Sequence, residues 1–233
     1  MKLQNTEILI QYLADKQQIR KRELIALKMD ILGGKLNPKP QFKRTAIVLA
    51  YAHWEGFVKE AARAYVDFVT AKTRSLSSLA SNFKALACRQ ELQIAQGATK
   101  KIGPHLTLVD LLTHGISKSV KISSENAIDT ESNLNEEIFL NICQCIGIDF
   151  AASWAPRGPF MNDLFLSRCK IAHGEMLEPE LGYAIEVIDN VITWIQDFST
   201  DIENAAVSGL YLASDRAAQQ PTATDGSSTN HSC

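Results

Sequence analysis

Arg168 and His173 are the residues of this 233-residue chain whose types and spacing best suit a chemical role. They lie in the run Ser-Arg-Cys-Lys-Ile-Ala-His-Gly, which spans residues 167–174. Histidine titrates near neutral pH, so it can act as a general base or a general acid. The arginine fork keeps its charge and matches the oxygens of a phosphate. Such a pair could cleave RNA without a metal ion, because the RNA 2′-OH can attack the adjacent phosphate while the arginine stabilises the phosphorane.

The spacing of the pair limits how one helix can present it. Five residues at about 100° each place Arg168 and His173 roughly 140° apart around a continuous α-helix. One helix therefore does not aim both side chains at the same atom from a single face. Either the helix breaks near Gly174, or two copies of the segment face each other.

Long helices that could position this pair are predicted from apolar residues that recur every three or four positions. The clearest runs from about 42 to 72, and Pro40 could open it. A helix from about 160 to 172 should carry Arg168, and a last long helix should follow Glu178-Pro179. We expect the Arg168 segment to pack between the helix that contains Trp54 and the last helix.

Weaker signals complete the predicted architecture. Further helices are predicted over 6–32, 76–96, 106–116 and 134–146. Gly103-Pro104 should break the chain between two of them, and Asn133 should cap the helix that starts at 134. Residues 121–132 are predicted to form a polar loop, with a short extended piece around 120–122 as an option. We therefore expect an all-α bundle of about five to seven helices. Residues 1–35 should form a helix packed on a domain of residues 36–210, and 211–233 should be a disordered tail, because its residues offer little to bury.

Composition narrows the classes of function. The formal net charge of −2 argues against broad binding of duplex nucleic acid through phosphate neutralisation. The five cysteines are odd in number and are interpreted as reduced thiols. The N-terminus lacks the apolar core of a signal peptide, and no stretch approaches the roughly 20 apolar residues that span a bilayer. We expect a cytoplasmic protein without a membrane partner, a metal site or a cofactor.

Three segments resemble the HEPN superfamily, in particular a subgroup of bacterial HEPN ribonucleases. Arg168 and His173 match the Arg-x4-His motif of those enzymes, and the Tyr-x-x-Trp-Glu helix around 50–59 looks like their first long core helix. Residues 133–149 are similar to the middle segment of the subgroup, and together the similar stretches span about residues 40 to 200. Many active members carry a polar residue, often Asn, directly after the arginine, where this chain has Cys169.

The resemblance implies a fold, an activity and partners. It implies a HEPN-like helical bundle that acts as a metal-independent endoribonuclease on RNA, as a homodimer with a composite active site. Proteins of this kind are often toxins of toxin–antitoxin or phage-defence systems, paired with a cognate antitoxin protein. Cys169 favours an alternative, a non-catalytic HEPN module that binds a nucleotide or a protein. An unrelated helical regulatory protein is a third hypothesis.

Three further residues are candidates for supporting roles. Glu55 could form an ion pair with Arg168, as helix packing in the family suggests, or it could pair with Lys59 four residues later. Lys170 lies inside the motif and could contact phosphate. Tyr51 lies on the apolar stripe of its helix, where a core role is favoured over stacking on RNA.

Overall fold

The fold is all-α, as predicted. A computed structural model describes residues 3–33, 38–73, 75–115 and 122–213. Within these residues there are seven α-helices of eleven or more residues and two of four residues, with no strand among them, so the total of nine slightly exceeds the expected five to seven. They are α1 (Thr6–Gly33), α2 (Pro40–Lys72), α3 (Ser81–Gly97), α4 (Ile102–His114), α5 (Ser124–Ala127), α6 (Glu136–Ile146), α7 (Phe150–Ser153), α8 (Gly158–Ala172) and α9 (Leu181–Val207).

The centre of the bundle is α2, which contacts α1, α8 and α9. Its predicted apolar stripe is buried, and Trp54 lies at the middle of an aromatic cluster. The ring centroid of Trp54 lies 5.2 Å from Phe139, 5.8 Å from Trp154, 5.5 Å from Trp194 and 6.2 Å from Phe198. These rings come from α6, α9 and the segment after α7, so one side chain of α2 holds several elements together. Replacing such a residue with alanine costs about 3–5 kcal/mol.

The first helix, α1, packs against α2 and α9. Its buried leucines, Leu9, Leu13 and Leu24, face the core. At its middle, the Arg20 guanidinium donates to Glu60 at 3.0 Å and to the backbone oxygen of His53 at 3.3 Å. These contacts attach α1 to the helix that forms the centre of the bundle.

The Arg168 helix, α8, packs on α2 and α6. Its Ser167 hydroxyl lies 3.2 Å from the Tyr183 hydroxyl of α9, so α8 contacts both helices that were expected to flank it. The segment before α8 is attached to α9 as well, because Arg157 pairs with Asp197 at 2.7 Å and the Trp154 indole donates to Asp201 at 2.8 Å. Three elements therefore fix the position from which α8 presents its side chains.

Two helix boundaries differ from the sequence predictions, one because a proline fits the first turn of a helix and one because a long-range contact interrupts the predicted helix. The predicted break at Gly103-Pro104 is wrong, because Pro104 lies in the first turn of α4, where backbone N–H groups have no intrahelical partner to lose. The predicted helix over 76–96 is a short 3-10 turn at Leu76–Ser78 followed by α3. Leu79 between them forms an isolated antiparallel bridge with Leu212, which interrupts the helix.

The remaining differences concern the loops and the tail. The polar loop over 121–132 contains the short helix α5, whose N-terminus is capped by the Ser123 hydroxyl. The optional extended piece at 120–122 lies largely outside the described residues, as does the predicted tail from residue 214 onward. At the start of that tail, Tyr211 packs edge-on against Phe68, with 5.7 Å between ring centroids. No helix in the described part of the chain combines the length and apolar character needed to cross a membrane.

Candidate active site

Arg168 lies on the side of α8 that faces the bundle. Met161, Leu164 and Arg168 follow one another at helical spacing, and the first two are buried. The same face that anchors α8 therefore directs the arginine toward α2. Its side chain keeps 21% of its surface exposed, so the guanidinium lies at the edge of the core and not inside it.

The Arg168 guanidinium is held by three neighbours from two other segments. It lies 3.8 Å from the Glu55 carboxylate, its central carbon is 4.5 Å from the Tyr51 ring centroid, and it donates to the backbone oxygen of Ser132 at 2.5 Å. A cation over an aromatic ring contributes about 0.5–2 kcal/mol, depending on how far it is desolvated. We call Arg168, Glu55, Tyr51 and the Ser132 carbonyl the arginine cluster.

Tyr51 and Glu55 reach the arginine together because they are four residues apart on α2 and share one face. The Glu55 side chain is only 16% exposed, which fits the ion pair with Arg168 better than a solvated pair with Lys59. Tyr51 is buried, as its place on the apolar stripe indicates. Burial, with a smaller contribution from the charge of Glu55, raises the pKa of the Tyr51 phenol.

The Tyr51 hydroxyl is a buried polar group without a well-formed hydrogen bond. It lies near the backbone of Leu134, but no partner within the described residues meets ordinary hydrogen-bond geometry. Burying such a group typically costs about 1–3 kcal/mol. Tyr51 therefore contributes to the arginine cluster through its aromatic ring, which contacts the Arg168 guanidinium.

The Ser132 carbonyl is presented by a tight turn of unusual backbone conformation. Glu131 and Ser132 have φ angles of 52° and 55°, in the left-handed region that residues other than glycine rarely adopt. The turn is closed by a hydrogen bond from the Asn133 amide to the Thr130 oxygen at 2.9 Å, and the Asp129 carboxylate accepts from the Glu131 amide at 2.9 Å. Such conformations cost about 1–3 kcal/mol each and concentrate at functional sites. Here the strained turn positions an acceptor for Arg168.

His173 lies at the C-terminal cap of α8, so the helix does end near Gly174. Gly174 adopts a φ of +83°, and its amide donates to the Ile171 oxygen at 3.1 Å. The Glu175 amide donates to the Lys170 oxygen at 3.0 Å. This pair of bonds is the Schellman arrangement, which needs a residue tolerant of positive φ directly after the cap. The glycine therefore determines where the chain turns away from His173.

His173 and Lys170 lie outside the arginine cluster. Both are exposed, and among the described residues neither side chain has a hydrogen-bond or ion-pair partner. They share an outward stripe of α8 with Leu166, roughly 140–160° around the helix from Arg168. The structure thus brings Arg168, Glu55 and Tyr51 together and leaves the histidine and the lysine on the solvent side.

Three contacts of Arg168 were not predicted from the sequence, and one of them is the contact with the Tyr51 ring. The Ser132 carbonyl is a backbone acceptor, which residue types do not reveal. Cys169 places its thiol sulfur 3.6 Å from a guanidinium nitrogen of Arg168, although it was considered only as a departure from a family pattern.

The N-cap of α6 is Asn135, which accepts from the Ile138 amide at 2.9 Å, and the predicted cap Asn133 belongs to the turn that carries Ser132. In the described ranges, no group of three or more His, Cys, Asp or Glu side chains is arranged to hold a metal ion.

Comparison with known families gives a match that covers most of the chain. Residues 15–208 match the family described as RiboL-PSP-HEPN. The chain belongs to the RiboL-PSP-HEPN family. Its predicted membership in the HEPN superfamily is confirmed, and the match begins inside α1, whereas the resemblance in the sequence covered only about residues 40 to 200. No curated protein and no solved structure matches this RiboL-PSP-HEPN chain.

Family membership applies to the whole bundle and not to individual side chains. The matched range of this HEPN chain includes every residue of the arginine cluster, together with Lys170 and His173. It therefore supports a HEPN module with the site embedded in it. The chemical roles of the site residues depend on their geometry.

Proposed function

We propose that the protein is a metal-independent endoribonuclease in which Arg168 and His173 carry the reaction. The observation that supports this most is the fixed Arg168 guanidinium, held by Glu55 and Tyr51 beside a helix end that presents an exposed histidine. A cation that is already held in place can stabilise a negative charge that develops only in the transition state, because the side chain does not have to reorganise during the reaction. The function rests on this arrangement within a HEPN bundle.

The proposed reaction uses groups of the RNA and of the protein. The 2′ oxygen attacks the adjacent phosphorus while His173 takes the 2′-OH proton as a general base, and the departing 5′ oxygen receives a proton from the resulting imidazolium or from water. The bond between phosphorus and the 5′ oxygen breaks, leaving a 2′,3′-cyclic phosphate and a 5′-OH. Arg168 stabilises the negative charge on the pentavalent phosphorane, and exposed Lys170 contacts a neighbouring phosphate.

We further propose that two copies of the chain form the active site. Arg168 faces α2 while His173 faces solvent, so the two side chains of one protomer point in different directions. A two-fold axis through the surface at the C-terminal end of α8, where His173 is exposed and the Arg168 side chain keeps 21% of its surface accessible, would place the His173 of one copy near the Arg168 of the other. Exposed apolar side chains border this face, with Leu166 at 52% and Met176 at 81% exposure, which favours burial against a partner. A particle that is monomeric by light scattering at micromolar concentration and still cleaves RNA would refute the composite site.

In the cell, we propose a cytoplasmic toxin of a toxin–antitoxin or phage-defence system, restrained by a cognate antitoxin protein. Expression of the wild-type chain should then arrest growth, and His173→Ala should relieve the arrest. Equal arrest by the His173→Ala chain would contradict an RNase toxin.

The enzymatic proposal is tested with purified protein and a mixed RNA substrate in EDTA. Wild type should cleave the RNA and leave 2′,3′-cyclic phosphate ends, while Arg168→Ala and His173→Ala should each lose cleavage. Glu175→Gln serves as a matched control, because Glu175 is exposed two residues beyond His173. Equal background cleavage by all four proteins would refute the proposal.

A second candidate function is a non-catalytic HEPN module that binds a nucleotide, such as one within RNA, or a protein. The contact between the Cys169 thiol and the Arg168 guanidinium favours it, since this contact and the Ser132 carbonyl use donors that a phosphate would otherwise take. Retained RNA binding without cleavage, lost in Arg168→Ala, would support this second function.

A further inference from the structure

An open groove adjoins the turn that carries Ser132, whose carbonyl belongs to the arginine cluster. Its volume is about 680 Å³, enough for a nucleotide. Its lining comes from the strained turn, from the outer face of α6 and from α8, and it includes Glu131, Asn133, Glu137, Asn141, Gln144 and Phe165. We call it the amide groove.

The amphipathic pattern of α6 produces one wall of this groove. Phe139, Ile142, Cys143 and Ile146 are buried on the core side. Glu137, Asn141 and Gln144 follow at steps of four and three on the opposite side, so they form a polar stripe. Within the described residues these three side chains have no hydrogen-bond or ion-pair partner. Their hydrogen-bonding groups are available to a ligand.

The groove adjoins the proposed cleavage site through two elements. Phe165 lies three residues before Arg168, about 4.5 Å away along the axis of α8, and its ring centroid is 6.4 Å from that of Tyr51. Glu131 and Asn133 flank Ser132, whose carbonyl holds the Arg168 guanidinium. A phosphate at Arg168 would therefore have its attached nucleoside within reach of the groove.

The charge of the lining selects which part of a nucleotide can enter. The lining contains two carboxylates and several amides, and no lysine or arginine. A phosphate would be repelled there, whereas a base with hydrogen-bond donors would be attracted. Carboxylates only accept hydrogen bonds, and guanine is the RNA base that offers two adjacent donors, N1–H and the N2 amino group. Its O6 and N7 can accept from the amide nitrogens of Asn141 and Gln144, and Phe165 supplies an apolar ring.

We propose that the amide groove binds a guanine base whose 3′ phosphate lies at Arg168. This inference rests on the proposed RNase function only in naming that phosphate as the one to be cut. Cleavage of RNA would then occur on the 3′ side of guanosine. The base would then be recognised in the groove that Glu131 and Asn133 line, and the phosphate would be bound by Arg168, which contacts the Ser132 carbonyl between them.

The test measures binding without cleavage. The four nucleoside 3′-monophosphates are titrated into wild type, Glu137→Gln, Asn141→Leu and the control Glu175→Gln by calorimetry. Wild type and the control should bind 3′-GMP about tenfold more tightly than the other three, since a bidentate contact to a base discriminates by about 1–3 kcal/mol. Both groove variants should lose most of this preference and keep native circular dichroism, because Glu137 and Asn141 are exposed.

The outcomes separate this inference from the proposed function. Equal affinities of wild type for the four nucleotides, a base other than guanine bound most tightly, or an unchanged preference in both groove variants would overturn the guanine site, even if wild type cleaves RNA. Selective binding of 3′-GMP that both groove variants lose would support the guanine site, even if wild type fails to cleave RNA in EDTA.

Discussion

Replacing Gly174 with alanine should destabilise the protein through the backbone alone. Gly174 has a φ of +83°, and an added Cβ would meet no atom within 4 Å. The substitution therefore introduces no steric clash with the rest of the molecule. What remains is the conformational cost of holding an alanine in the left-handed region, about 1–2 kcal/mol.

The conformational cost at Gly174 can be isolated with a second glycine. Gly182, in the first turn of α9, also has open space around its Cβ position, but its φ is not in the left-handed region. Alanine is favoured over glycine within a helix by up to about 1 kcal/mol, so Gly182→Ala should leave stability unchanged or raise it. The two substitutions are chemically identical, but only Gly174→Ala should lower the free energy of unfolding.

Urea denaturation followed by circular dichroism measures both changes. Gly174→Ala should lower the free energy of unfolding by about 1–2 kcal/mol, with an unchanged slope against urea concentration. Its RNA cleavage should also fall, because the Schellman bonds that fix the cap carrying His173 are weakened. A Gly174→Ala protein as stable as Gly182→Ala would refute the role given to this turn.

Three further predictions concern the neighbourhood of α2. Glu55→Gln should lower RNA cleavage about fivefold, since a partly buried ion pair at 3.8 Å contributes on the order of 1 kcal/mol to holding Arg168. Unchanged cleavage kinetics would show that Glu55 does not position Arg168. Tyr51→Phe should raise the free energy of unfolding by about 1 kcal/mol and keep cleavage, because it removes an unsatisfied buried hydroxyl and retains the ring; a loss of stability in urea would show that the hydroxyl is bonded. Burial lowers the pKa of His53, so the unfolded chain binds a proton at His53 more readily than the folded chain, and the free energy of unfolding should fall as the pH drops below about 6.5. His53→Gln should flatten this pH dependence of stability, and identical pH dependence in wild type and His53→Gln would exclude the effect.

The sequence predicted the long helices because burial of one face imposes a helical period. The boundaries of α2 were predicted to within two residues at its start, where Pro40 occupies the first helical position. Local rules failed where tertiary contacts or end effects intervene. The bridge between Leu79 and Leu212 joins residues 133 positions apart, and no local pattern reports such a contact.

The candidate site was predictable in part. Arg168 and His173 were singled out by their chemistry and by the resemblance to the Arg-x4-His motif, but only Arg168 lies in the arginine cluster. Glu55 was one of two open alternatives that the geometry now favours for the arginine. The Ser132 carbonyl could not be predicted, because any residue carries a backbone oxygen and the left-handed conformation of Ser132 is not encoded by a glycine. The amide groove likewise depends on how α6 and α8 meet.

The most direct measurement of the central claim mixes two inactive variants. In a composite site, the intact Arg168 of one subunit can work with the intact His173 of its partner. Purified Arg168→Ala and His173→Ala proteins are unfolded and refolded together, then assayed on RNA in EDTA. Random pairing makes half of the dimers mixed, each with one of two sites complete, so about a quarter of wild-type activity should return. Mixed protein that stays as inactive as each variant alone, although light scattering shows dimers, would contradict the shared site; full activity of either variant alone would contradict the proposed chemistry.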